Sequence, residues 1–189
     1  MRSTTFTEVA RRAAIVAAML VPAAGGAMAD GAMAGEGPSL GCYERDYSDT
    51  HLADHPDQIV DRIVLDIYRP PDGGEDIFVK MAVWTANQGY VRKTGQGGQR
   101  FDQSLYCYQD GKAARCQVEC DGGHFTVEHD DGEVLQFATG YLQAGEAEEC
   151  GGAIDLAERP GQMVSYRLMR APGATCEAAF AGTETTGKE

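Results

Sequence analysis

The chain has 189 residues, with six cysteines and 29 acidic side chains against 16 basic ones, a formal net charge of −13. That length suits one domain able to bury a sizeable core. The charge argues against a nucleic-acid binder, which needs a basic face to neutralise phosphates, and against electrostatic attachment to anionic lipid. No stretch reaches the ~20 apolar residues that span a bilayer.

In chain order, the first segment reads as an export signal rather than as structure. Arg2, Arg11 and Arg12 give a positive start, and residues 13–29 are uncharged, including Ile15, Val16, Met19, Leu20 and Val21. The run ends in Ala27-Met28-Ala29, the small-x-small pattern of a cleavage site, and Ala32-Met33-Ala34 offers a second. A signal peptide is expected over 1–29, of Sec rather than twin-arginine type, with cleavage after Ala29 or Ala34. A membrane anchor is disfavoured because Pro22, Gly25 and Gly26 break the run. Cys42 lies too far beyond it for lipid attachment. Loss of 1–29 removes Arg2, Arg11, Arg12 and Glu8 but no cysteine, so the net charge deepens to −15.

All six cysteines (Cys42, Cys107, Cys116, Cys120, Cys150 and Cys176) lie downstream of the signal. In an exported protein this even set implies up to three disulfides. Metal binding would favour Cys-x-x-Cys pairs, and Cys116-x-x-x-Cys120 is the nearest approach. If Asp110-Gly111 turns a hairpin with a four-residue loop, Cys107 faces Cys116 and Leu105 faces Val118. A two-residue loop on Asp110-Gly111 would place Cys116 against Leu105 instead. Cys116 and Cys120 on one strand would be roughly 13 Å apart, too far to bond. The preferred pairing is Cys107–Cys116, Cys120–Cys150 and Cys42–Cys176.

Residues 30–41 read as a flexible leader. Ser48 can cap a short helical turn that Pro56 ends. Strand patterning begins at residues 59–68, with Ile63, Leu65 and Ile67 on one face and Arg62, Asp66 and Tyr68 on the other. After the breaker at residues 70–74, Ile77, Val79, Met81 and Val83 alternate with Phe78, Lys80, Ala82 and Trp84. Gly95-Gln96-Gly97-Gly98 marks a loop, and residues 101–109 resume the strand pattern. Around Asp130-Asp131-Gly132, a three-residue loop with Gly132 left-handed pairs Val127 with Leu135 and Phe125 with Phe137. Residues 154–156 and 164–168 supply two more strands, and 182–189 read as a disordered tail. The expectation is one all-β domain over 42–181, an up-and-down antiparallel barrel of about seven or eight strands, with a two-sheet sandwich as the alternative.

Chemistry is thinly marked. His51-x-x-x-His55 has the spacing at which one helical face can chelate zinc or copper. His124 and His129, five apart on a regular strand, would face opposite sides, with His129 opposite Glu133. Asp130-Asp131-Gly132-Glu133 and Glu146-Ala147-Glu148-Glu149 lack the alternating spacing of a calcium loop; the first reads as a turn and the second as a solvated loop. There is no Gly-x-Ser-x-Gly elbow and no phosphate loop in strand–helix context. No cofactor is implied. Trp84, Tyr90, Tyr106, Tyr108, Tyr141 and Tyr166 lie on or near strands, where a barrel could turn some of them toward a ligand cavity and ordinary packing would use the rest.

The run Cys42-Tyr43-Glu44-Arg45, followed by His51-Leu52-Ala53-Asp54-His55-Pro56-Asp57-Gln58, resembles the start of small exported bacterial proteins of uncharacterised function. That resemblance implies no activity and no site residue. The combined expectation is a periplasmic or secreted, disulfide-stapled binding module of inhibitor-like kind, taking a protein or small-molecule partner. The alternative is a metal-dependent or hydrolytic enzyme using His51, His55 and nearby carboxylates.

Overall fold

The computed structural model describes residues 37–72, 74–145 and 152–182. Nine strands run β1 Gly41–Asp46, β2 Val60–Tyr68, β3 Ile77–Thr85, β4 Arg100–Asp110, β5 Ala113–Val118, β6 Gly123–Asp130, β7 Val134–Ala144, β8 Ile154–Asp155 and β9 Val164–Arg170. Among the described residues three helices interrupt the strands: α1 Asp49–Asp54, α2 Gly89–Lys93 and α3 Gly173–Phe180. Each of β1 to β7 pairs antiparallel with the next, β7 pairs with β9, and β9 returns to β1. The result is a closed eight-stranded barrel, with β8 a two-residue addition to the end of β7. Closure leaves no sandwich edge.

The period-two pattern decides which side chains enter the lumen. Ile63, Leu65 and Ile67 of β2 and Val79, Met81 and Val83 of β3 are at most 1% exposed. Phe125, Phe137, Tyr166 and Leu168 join them, with ring centroids 4.4 Å apart for Phe125–Phe137 and 5.3 Å for Phe137–Tyr166. An eight-stranded barrel either fills with its own side chains or holds one small ligand, and here the buried aliphatic and aromatic side chains pack against one another in the lumen. Its interior is therefore a packed core, and Tyr166 fills it rather than lining a cavity.

Two disulfides follow the expected pairing. Cys107 faces Cys116 with Cα atoms 4.0 Å apart, and Leu105 faces Val118. The ladder runs on to Asp110–Ala113, so the turn is tighter than the four residues expected. It consists of Gly111 and Lys112, and Gly111 supplies the positive φ of 64° that a two-residue hairpin turn needs. Cys42 bonds Cys176, tying α3 to the outside of β1 across 134 residues. There α3 covers Val64 of β2, which is fully buried although it faces outward. Cys120 is also disulfide-bonded; the expected pairing Cys120–Cys150 involves a residue outside the described ones.

The β6–β7 hairpin differs from its expected register. Val127 pairs with Phe137 rather than Leu135, and His129 with Gln136 rather than Glu133. The cause is Asp131, whose carboxylate accepts hydrogen bonds from the Glu133 and Val134 N–H groups at 2.9 and 2.7 Å. That opens a wider turn, with Gly132 left-handed as expected at φ 84°. A bulge between Val127 and His129 absorbs the difference. Phe125 and Phe137 still meet inside, diagonally rather than directly opposed.

Candidate functional site

One end of the barrel is closed by α1, α2 and the turn after β8. The Ser48 hydroxyl accepts the His51 N–H at 3.2 Å and starts α1, and Leu52 anchors it to the core. Gln88 meets the other end: its side-chain amide donates to the carbonyls of Leu52, His55 and Gln58 at 2.8–3.1 Å. Leu52 and His55 lie at the end of α1 and Gln58 in the turn that follows, so this one amide ties the helix end and the turn to the residue that precedes α2.

His51 lies between Tyr47 and His55, with ring centroids at 4.9 and 4.2 Å. Gln58 uses its amide N–H on the Val60 carbonyl, so its oxygen faces His51 and accepts from Nε2–H at 2.9 Å. His55 donates Nδ1–H to the His51 carbonyl at 2.8 Å. The helical spacing does bring the two rings together, as a stack. Both rings have one nitrogen committed, and no group of three or more His, Cys, Asp and Glu side chains suited to a metal occurs among the described residues.

The turn after β8 is held by two tyrosine hydroxyls. Tyr90 of α2 donates to the Asp155 carbonyl at 2.8 Å and accepts the Asp155 N–H at 2.6 Å. Tyr166 donates from inside the barrel to the Leu156 carbonyl at 2.8 Å. The Asp155 carboxylate accepts the N–H groups of Leu142 and Ala157 at 3.1 and 3.0 Å. Arg159 reaches back to an ion pair with Asp57, just beyond α1.

Between these fixed points sits Glu158, in the left-handed region at φ 63°. For a residue with a Cβ this conformation costs about 1–2 kcal/mol. Its carboxyl is half-buried, and its pKa is raised from 4.5 by burial first and by Asp57 second, while Arg159 and His55 pull it down. Burial also raises the hydroxyl pKa values of Tyr47, Tyr90 and Tyr166, with the Glu158 charge adding to each. Glu158, Tyr90, Gln143, Asp155, Arg159 and Pro160 line a cleft of about 340 Å³. This volume is in the range of small-ligand pockets. The cleft sets the Glu158 carboxyl beside the Tyr90 ring, with Arg159, paired to Asp57, at its margin. A primary ammonium or guanidinium group matches that chemistry.

Sequence reasoning named His51, His55 and Tyr90 but not Glu158, one carboxylate among many. The turn signal Pro160-Gly161 beside it is the one hint the chain offers. The remaining candidates disperse. His124 and His129 are both exposed, since the bulge turns His129 outward; His129 lies 3.3 Å from Asp131. Asp130 accepts the N–H groups of Gly132 and Ser39 at 3.0 and 2.6 Å. Residues 146–149 lie outside the described ones. Trp84 is outside the barrel between the guanidinium groups of Arg62 and Arg100, 4.6 and 5.1 Å from its ring. Tyr106, Tyr108 and Tyr141 are on the outer wall. No family model, no curated protein and no solved structure matches the chain.

Proposed function

We propose that this is an exported, disulfide-stapled binding module of inhibitor-like kind, which captures a cationic group of its partner in the Glu158 cleft. The observation that carries the reading is Glu158 itself: a half-buried carboxylate on a left-handed backbone beside Tyr90. Both features oppose stability, and fixing a charge where a ligand can reach it is the gain that offsets them. The filled lumen supports binding at the barrel end or wall rather than inside. Export is supported by the leader-like 1–29 segment and by the disulfides. The resemblance of residues 42–58 to exported bacterial proteins points the same way.

The test is titration of ¹⁵N-labelled protein at pH 7.5 with n-butylammonium and ethylguanidinium, using n-butanol as the neutral control. Amide shifts confined to residues 152–160, seen with the cations only and absent in Glu158→Gln, are expected. Equal shifts with n-butanol, or shifts that survive in Glu158→Gln, would overturn the reading. The enzyme alternative, with His51, His55 and nearby carboxylates holding a metal, is tested by zinc and copper uptake. Uptake lost in His51→Ala/His55→Ala would favour it; uptake unchanged by the double substitution would remove it.

A further inference from the structure

The strand registers build an aromatic row across the outer wall. Tyr68 stands opposite Phe78 and Phe78 opposite Tyr106. Tyr106 then faces Gln117, Gln117 faces His124, and His124 faces Tyr141. The six positions lie on six of the eight strands, so at about 4.8 Å per strand step the row follows the curve of the barrel for about 24 Å. Ring centroids are 6.2 Å apart for Tyr68–Phe78, and Tyr108 stacks on Tyr106 at 5.9 Å. Tyr141 at the end of the row is 44% exposed, and the other members are half-buried or exposed. Tyrosines in an accessible row with polar tips are the composition of a protein-recognition patch.

The charges around the row select the partner. Three cations neighbour the row: Arg115 pairs with Asp110 at 2.9 Å, Lys80 lies 5.5 Å from the Tyr68 ring, opposite Asp66, and the exposed Arg69 donates to the Glu75 carbonyl. Asp76, Glu119 and Asp121 border the row, are exposed, and have no ion-pair partner among the described residues. Burial, and Arg115 second, lower the pKa of His124 from 6.5, which disfavours a positive charge on its ring. At the Tyr141 end, Gln117, Asp121, His124 and Tyr141 line a cleft of about 360 Å³. Rings of this fold already lie under cations, as Trp84, Tyr68 and Tyr43 show.

We propose that this row is a docking face for a strongly basic protein, whose lysine and arginine side chains lie over the rings and reach the flanking carboxylates. The inference rests on the reading of the chain as a binding module, and it assigns the face and charge class of the partner. Complementary charge steers such an encounter and makes it salt-dependent.

The experiment titrates the ¹⁵N-labelled full chain with a decalysine peptide. It compares the parent, Tyr106→Ser/Tyr141→Ser, Glu119→Lys/Asp121→Lys and Glu158→Gln, each checked for a folded spectrum. Shifts along Tyr106, Gln117, His124 and Tyr141 are expected, with affinity at least tenfold weaker in both row variants and falling with salt. Because the charge-reversal pair sits in an exposed loop, it keeps the test valid if the tyrosine pair fails to fold. Undiminished binding in a folded row variant would overturn the inference. So would shifts elsewhere on the chain, tighter binding of neutral oligosaccharide or lipid vesicles, or burial of the row in a dimer of this chain. Loss in Glu158→Gln alone would sink the docking face while leaving the cleft reading intact. Loss in the row variants alone, with no response of the cleft to butylammonium, would do the reverse.

Discussion

Cys107 and Cys116 stand directly opposite each other inside the barrel, nine residues apart in sequence, whereas Cys42 and Cys176 join segments 134 residues apart. The loop each bridge closes sets how far it restricts the unfolded chain. Replacing Cys42 and Cys176 by alanine should cost about 4–5 kcal/mol, and replacing Cys107 and Cys116 about 2–3 kcal/mol. Urea unfolding of both double variants checks the order; equal losses would contradict it.

Trp84 packs against the cluster formed by Cys42, Val64, Cys176 and Ala179. Reduction of the Cys42–Cys176 bridge releases the covalent hold on α3 and lets water reach the indole. Emission of Trp84, the one tryptophan of the chain, should shift to the red on reduction under native conditions. It should remain unshifted in Cys107→Ala/Cys116→Ala without reductant.

The Glu158 carboxyl has a folded-state pKa above its ordinary 4.5. The folded state therefore holds this proton more tightly than the unfolded chain does. Its contribution is fully present below pH 4.5 and is lost as pH rises through the folded-state value. Glu158→Gln should leave stability nearly unchanged at pH 4 and raise the melting temperature at pH 7.5. Glu158→Gly also relieves the left-handed strain and should gain up to about 1 kcal/mol. Both variants should lose the cleft's response to butylammonium. A lower melting temperature in both at pH 7.5 would contradict this account of the site.

Tyr166→Phe leaves the buried Leu156 carbonyl without its hydroxyl donor and should cost about 1–2 kcal/mol globally. Tyr90→Phe removes both hydrogen bonds to Asp155 at the partly open cleft. Its effect should be local: faster amide exchange at Asp155, with the barrel strands protected as before.

The barrel was legible because β2 and β3 alternate cleanly, so that Ile63, Leu65 and Val79 declare the inner face. The Cys107–Cys116 register was legible for the same reason. β1 was harder to see, since Tyr43 is its one large apolar inward side chain and Arg45, opposite Ile63, puts a charge on the same face. The helix α3 was hidden because a disulfide and Val64, rather than an apolar stripe of its own, hold it in place. The β6–β7 register failed on side-chain chemistry: two Asp131 hydrogen bonds outweighed the turn that Gly132 suggests. Glu158 was illegible because its position depends on Tyr90 and Asp57, which lie far from it in sequence.

The most direct test is the titration of the Glu158 side-chain carboxyl followed by ¹³C NMR, with and without saturating n-butylammonium. The account predicts a midpoint above 4.5 in the free protein and a lower one when the cation is bound, because a positive charge favours the carboxylate. A midpoint at or below 4.5 that the cation leaves unmoved would contradict it.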